Sequence, residues 1–255
     1  MVQLMSKTQG WCDSSAALAE RYGNCRELVG RGKFGIVFVS RRKKDNGAGE
    51  DLYAVKKFRR QPKETERAYT KRSVTEFCIA SALSPPNVIG TLDLHKDAKG
   101  DYCEVMEFCS GGGLHSLVHS GGKLKWQEAD YFFKQMMRGV EYIHEMGVAH
   151  LDLNTKNLLL PGDGLLKISD FGHSECVRLA WERDINMVSG IRCSGPYIAP
   201  EEYTDEKFDG NAVDIWAFGI IYGHGYRLSF LERCEEKLGC ILCTIPQGTP
   251  AAGRF

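Results

Sequence analysis

The spacing of apolar positions changes rhythm near residue 108. Upstream, apolar and polar residues alternate as half-buried strands require over 28–31, 35–41, 52–58, 88–95 and 102–108. Asp45-Asn46-Gly47 and Ala98-Lys99-Gly100 supply turn signals between them. One stretch, 64–83, reads instead as helix, with Val74, Phe77, Ile79 and Leu83 at mixed helical spacing before Pro85-Pro86 stops it. After Cys109-Ser110-Gly111-Gly112-Gly113 the pattern turns helical. It is clearest over 127–146, where Ala129, Phe132, Met136, Val140 and Ile143 recur every three or four positions and Gly147 offers a C-cap. A strand-rich part, a glycine break and a helix-rich part predict two lobes with a cleft between them. Residues 1–24 have weak periodicity and read as a partly disordered leader with a short helix around 15–21, so ordered structure is expected to begin near Cys25.

Composition narrows the class of protein. A chain of 255 residues suits one two-lobed domain. Lys plus Arg equals Asp plus Glu at 33 each, so no net field favours nucleic acid or an anionic membrane. The N-terminus lacks the apolar core of a signal peptide, and no run approaches the roughly 18–20 apolar residues of a membrane span, so a cytoplasmic, non-inserted monomer is expected. The ten cysteines fit reduced thiols in such a setting. Only Cys240-Ile241-Leu242-Cys243 has metal-ligand spacing; with no second pair, and only Cys234 and His224 nearby, a thiol-bearing tail is the better reading than a zinc site.

Gly30-Arg31-Gly32-Lys33-Phe34-Gly35-Ile36-Val37 fits G-x-G-x-x-G-x-V between two strand-like runs. Glycines let backbone N–H groups approach phosphate oxygens, and Val37 can pack over a base. Alone this is better read as an ordinary glycine hairpin, and a strand rather than a helix after the last glycine argues against a dinucleotide fold. Nineteen residues beyond Val37, Tyr53-Ala54-Val55-Lys56 fits the strand whose lysine reaches phosphates, with Glu76 as its natural partner and Glu64 and Glu66 as alternatives. Asn157 and Asp170, thirteen residues apart across a hairpin over 158–169, are hard oxygen ligands suited to a metal ion. Asp152 stands where a base would take the proton of a hydroxyl. These motifs, together with Asp170-Phe171-Gly172 and Ala199-Pro200-Glu201, occur in the order of the kinase signature set.

Over residues 25–222 the chain therefore resembles eukaryotic protein kinases, an α+β fold with an antiparallel-sheet N-lobe over 25–108 and a helical C-lobe over 109–222. It is most similar to the fungal Ser/Thr kinases of the halotolerance and nitrogen-permease-reactivator group. That closer likeness rests on the run 59–66, Thr75-Glu76-Phe77-Cys78-Ile79-Ala80, Pro196-Tyr197-Ile198-Ala199-Pro200-Glu201-Glu202 and Ala212-Val213-Asp214-Ile215-Trp216-Ala217. The resemblance implies ATP and Mg²⁺ as cofactors and a protein Ser/Thr hydroxyl as acceptor. Lys56, Glu76, Asp152 and Lys156 are its catalytic set and Asn157 and Asp170 its metal ligands. Val29, Gly30, Gly32, Gly35, Val37, Ala54, Lys56, Met106, Glu107, Cys109 and Leu159 form its ATP site, with Met106 as gatekeeper and 107–109 as hinge. Ser194 falls near the catalytic aspartate, and Asp214 is expected to brace the loop from beneath.

The pattern also departs from the family. Leu151 replaces the arginine that pairs with a phosphorylated activation segment, so phosphorylation of Ser174 or Ser189 is not expected to switch the chain on by that route. Asn154 replaces a lysine that stabilises charge on the transferring phosphoryl group, and Lys156 is the candidate to compensate. Gly113 replaces an acidic residue, and Pro85 a histidine. After Tyr222 the chain no longer resembles the family: a short amphipathic helix over 228–238, a tail over 223–255, and exposed apolar surface on a shortened second lobe are the expectations. Two alternatives to an active kinase follow, a nucleotide-binding scaffold without transfer and a truncated, non-functional product.

Overall fold

Alternating residues pair into five antiparallel strands: β1 (Asn24–Arg31), β2 (Gly35–Lys43), β3 (Glu50–Phe58), β4 (Thr91–Lys96) and β5 (Tyr102–Glu107), in the order β1-β2-β3-β5-β4. The computed structural model describes residues 15–44, 49–121 and 124–226. The expected turn at Asp45-Asn46-Gly47, the helix over 228–238 and the Cys240…Cys243 pair lie outside the described residues. Register sets the site directly, because Lys56 stands opposite Val37 on one side and Glu104 on the other.

Helix α2 (Glu66–Ala82) lies between β3 and β4 in the chain. Thr65 caps it, its hydroxyl accepting from the Ala68 N–H at 3.2 Å, and the extended backbone of Leu83 ends it just before the prolines. The expected strand over 88–95 is shorter at its start. Val88 and Ile89 leave the sheet to pair with Ile168 of the other lobe, and Gly90 is tied to the Glu107 side chain.

The second lobe is built on α3 (Leu114–Gly121), α4 (Trp126–Glu145), α5 (Glu201–Thr204) and α6 (Gly210–Tyr226). The buried face of α4 carries Ala129, Met136, Val140 and Ile143 at the predicted spacing. Gly147 ends it with φ +75°, and a Cβ there would stand 2.0 Å from the Arg178 carbonyl oxygen, so only glycine fits. One apolar cluster joins α4 and α6 to Leu153, Leu158, Leu166, Ile168 and Phe171 beneath the cleft. Short pairs β6 (Val148–Ala149) with β9 (Glu175–Cys176), and β7 (Leu158–Leu159) with β8 (Lys167–Ile168), shape the loops between.

Ordered structure does not start at Cys25. Helix α1 (Ser15–Tyr22) docks on the sheet, burying Leu18 and Tyr22 against Val55, Cys103 and Val105. The Tyr22 hydroxyl donates to Asp93 Oδ2 at 3.1 Å, Arg21 Nη1 to the same oxygen at 2.6 Å, and Ser40 Oγ to the Tyr22 carbonyl at 2.8 Å. The short helix expected around 15–21 is present, and ordered structure begins with it rather than near Cys25. Its two apolar residues four apart marked the helix but not the sheet on which it docks. The expected apolar exposure on the second lobe is present: Met137, Ile215 and Trp216 are 48%, 55% and 42% exposed. A groove of about 600 Å³ runs between α4 and α6, lined by Met137, Val140, His144, Ile185, Ile215 and Phe218.

Candidate active site

The cleft between the lobes brings together the charged residues that the motifs singled out. Lys56, on β3, is buried between Val37 and Glu104 of the flanking strands, and its ammonium pairs with Glu76 of α2 and, at 2.7 Å, with Asp170 Oδ1. Glu64 and Glu66, the alternatives to Glu76, are engaged by Arg72 and Arg60 instead. Burial alone would lower the Lys56 pKa, but the Asp170 and Glu76 carboxylates outweigh it and hold the ammonium charged. Burial opposes ionisation of Asp170 too, and Lys56 overcomes it, leaving that carboxyl below the usual range. For Glu76 burial wins and the pKa is raised.

The catalytic loop is organised around Asp152. Its Oδ1 accepts from Ser194 Oγ at 2.9 Å and Asn154 Nδ2 at 3.2 Å, and its Oδ2 from Asn157 Nδ2 at 3.3 Å. Burial pushes the Asp152 pKa up, with the Ser194 hydrogen bond pulling the other way. Beneath the loop, Asp214 takes the N–H of His150 on Oδ2 at 2.7 Å and that of Leu151 on Oδ1 at 2.8 Å, while His144 Nε2 meets Oδ2 at 2.9 Å. The expected brace is in place. It fixes Leu151 at φ +64°, a left-handed conformation costly for a residue with a Cβ.

Asn157 holds Asp152 through its amide nitrogen, which leaves its Oδ1 for a cation. The Asp170 side chain remains 43% exposed toward the cleft. A Cβ at Gly172 would come within 3.0 Å of Glu76 Oε2 and 3.3 Å of Asp170 Oδ1, so glycine keeps these acids close together. The oxygen donors fit a hard divalent ion. In the glycine loop a Cβ at Gly35 would meet the Lys57 carbonyl oxygen at 2.8 Å, while one at Gly30 would stand in ordinary contact with Val37 at 3.5 Å and one at Gly32 with the Gly35 carbonyl oxygen at 3.8 Å. Val37, Ala54, Met106, Glu107 and Leu159 are partly exposed along the cleft wall and hinge, and Val29 is 48% exposed at its edge. Cys109 differs: its thiol is buried in the second-lobe core, so only its backbone can serve an adenine edge.

The departures have structural counterparts. Asn154 is buried and knits the loop, donating to the Asp152 carbonyl at 3.0 Å and accepting from the Lys156 N–H at 3.0 Å. Lys156 is exposed and makes no ion pair among the described residues, so the structure does not bring its ammonium to Asp152. Leu151, 1% exposed, packs with Val177, Val188, Cys193, Phe208 and Val213 and fastens the activation segment by apolar contact. Ser174 is buried, its hydroxyl donating to the His150 carbonyl at 3.1 Å.

Glu104 went unnoticed in the sequence, although an acid within Cys103-Glu104-Val105, opposite a lysine in register, was a usable signal. It is fully buried behind Lys56 with Oε1 unpartnered among the described residues, and burial followed by the nearby Glu76 charge pushes its pKa up to about 8. A raised folded-state value means that the native state holds the proton between the ordinary carboxyl range and about 8, so stability declines with rising pH across that window. The Glu104→Gln variant is expected to flatten that decline, which has a limiting slope of about 1.4 kcal/mol per pH unit. Denaturant titrations at pH 5 to 9 measure it, and parallel curves for the two proteins would contradict the assignment.

Two lobes around a cleft, a glycine-rich hairpin above a Lys–Glu pair, and an Asp–Asn loop facing the Asp170-Phe171-Gly172 turn define a protein kinase domain. The chain belongs to that family, and the family model for the protein kinase domain matches residues 24–226. It is 57% identical over 209 residues to Serine/threonine-protein kinase hal4 of Schizosaccharomyces pombe, covering 82% of this chain and 33% of that protein. It is 55% identical over 208 residues to Serine/threonine-protein kinase HAL4/SAT4 of Saccharomyces cerevisiae, covering 80% and 34%, and 40% identical over 211 residues to Serine/threonine-protein kinase oca2 of S. pombe, covering 82% and 31%. The resemblance to the fungal halotolerance group is thus borne out. The chain spans about a third of the length of these relatives.

Proposed function

We propose that this chain transfers the γ-phosphoryl group of ATP to a Ser or Thr hydroxyl of a protein. The observation that carries the reading is the joining of Lys56, Glu76 and Asp170 in one ion-paired group, within the same cleft as Asp152 and Asn157. Lys56, fixed by Glu76, orients the α and β phosphates, and the glycine loop supplies backbone N–H groups above them. Asn157 Oδ1 and the Asp170 carboxylate would hold Mg²⁺, which when bound neutralises charge on the phosphates. Asp152 orients the acceptor hydroxyl and takes its proton as the oxygen attacks phosphorus and ADP leaves. Ser194, Asn154 and Asn157 fix the Asp152 carboxylate for that task.

A cytoplasmic setting belongs to this reading. It is supported by the six free cysteines among the described residues, and no described helix is long and apolar enough to cross a membrane. A second reading, nucleotide binding without transfer, is favoured by Asn154 occupying the lysine position while Lys156 stays in solvent. A radiolabelled phosphate-transfer assay on a generic basic peptide, beside a nucleotide titration, separates the two. The first reading expects turnover, and about a tenfold gain for Asn154→Lys if a cation at this position stabilises the transferring group. Nucleotide binding with no transfer by either protein would support the second. A measurable rate unchanged by Asn154→Lys would show that the missing lysine does not limit catalysis.

A further inference from the structure

Arg72 lies one helical turn before Glu76 on α2, and the phosphate site described above makes no use of it. Its guanidinium is locked in place: Nε donates to Glu64 Oε1 at 2.9 Å, Nη2 to Glu64 Oε2 at 2.9 Å, and Nη2 also to the Arg59 carbonyl at 2.9 Å. The hydrogen bonds from Arg72 hold the Glu64 carboxyl below its usual range, so the acid stays charged and the planar fork stays oriented. So held, the guanidinium carbon stands 5.0 Å from the centre of the Phe34 ring. Phe34 is the tip of the glycine loop, and its ring also meets that of His173 at 5.1 Å, directly after Asp170-Phe171-Gly172.

The linker from β3 into α2 adds two further ties. The Arg59 N–H donates to the Phe34 carbonyl at 2.8 Å, and Gln61 Nε2 donates to the Lys33 carbonyl at 2.8 Å. The helix and its lead-in thus hold both the backbone and the ring of the loop tip, and the same helix carries Glu76. A glycine-rich loop left to itself must be ordered when a nucleotide arrives, and an anchor that orders it beforehand lowers that entropic cost.

We propose that Arg72 is a positioning residue: by holding Phe34 it ties the tip of the glycine loop to α2, so the loop closes over the cleft together with the helix that presents Glu76 to Lys56. The proposal rests on the reading of this cleft as a nucleotide site. Arg72→Met, Arg72→Lys, Phe34→Leu and the Arg72→Met/Phe34→Leu double variant test it, with two measurements on the full chain.

Hydrogen exchange on the unliganded protein comes first. In Arg72→Met the Gly32 and Arg59 amides, which donate to the Gly35 and Phe34 carbonyls, are expected to exchange about tenfold faster, with Val55 and Val105 in the sheet unchanged and Arg72→Lys intermediate. Equal loop exchange in wild type and Arg72→Met overturns the proposal. The second measurement is titration with a fluorescent ATP analogue and Mg²⁺. Arg72→Met and Phe34→Leu are each expected to weaken binding about five- to tenfold, and the double variant no further than either alone. Fully additive losses overturn the coupling. A wild-type chain that binds no nucleotide would refute the functional reading, while the exchange experiment would still decide whether Arg72 holds the loop.

Discussion

Replacing Asp152 by Asn is expected to lower kcat by about 10²- to 10⁴-fold, the range supplied by a positioned general base, while nucleotide affinity stays within about twofold of wild type. The geometry separates the two effects. Asp152 touches Ser194, Asn154 and Asn157, whereas the ion-paired phosphate-facing group is built from Lys56, Glu76 and Asp170. An amide of the same shape preserves the packing and lacks the basic carboxylate. Stability is expected to hold or rise at neutral pH. Burial raises the Asp152 pKa in the folded chain, so its ionised form opposes folding above that value, and a neutral replacement relieves the cost. The same shift places the acid limb of the rate profile above the ordinary carboxylate range. Steady-state phosphate transfer from pH 4 to 8, beside a melting curve, measures all three; retention of more than about a tenth of the rate would remove Asp152 from the role of base.

The second large effect is expected at Asp214. Asp214→Ala leaves two buried loop N–H groups and the His144 ring without their acceptor, and it releases a Leu151 backbone held in a left-handed conformation. Each buried donor left unpaired costs about 1–3 kcal/mol, so a loss of about 3–5 kcal/mol is expected in denaturant unfolding. Asp214→Asn keeps one acceptor oxygen and is expected to lose about half as much. Activity should fall further than stability alone explains, since His150 and Leu151 immediately precede Asp152. A loss below about 1 kcal/mol for Asp214→Ala would mean that the loop holds its shape without this brace.

The charged site was readable in the sequence because its chemistry is local. Lys56, Asp152, Asn157 and Asp170 sit in short runs whose order is informative, and Glu76 followed from helix spacing and apolar neighbours. What escaped reading depends on tertiary contact. Helix α1 docks through Leu18 and Tyr22, and the first two residues of the expected strand over 88–95 pair with the other lobe through Ile168. Glu104 acquires meaning only through strand register with Lys56, and Arg72 only through the fold of the glycine loop onto α2. The reading of Lys156 as a catalytic cation gains no support from the geometry. Spacing set it four residues from the aspartate, but the loop turns its side chain to solvent.

Leu151 and its apolar neighbours also bear on how the activation segment responds to its surroundings. A clasp made from arginine and phosphate weakens as added salt shortens the Debye length, which falls to about 3 Å at 1 M. The cluster of Leu151, Val177, Val188 and Phe208 has no such charge to screen, and sulfate or phosphate salts tighten apolar burial. Cooling, by contrast, loosens it. The part of this segment that Leu151 fastens therefore answers to temperature and solvent cohesion, while the Arg192–Glu175 ion pair is its salt-sensitive tie.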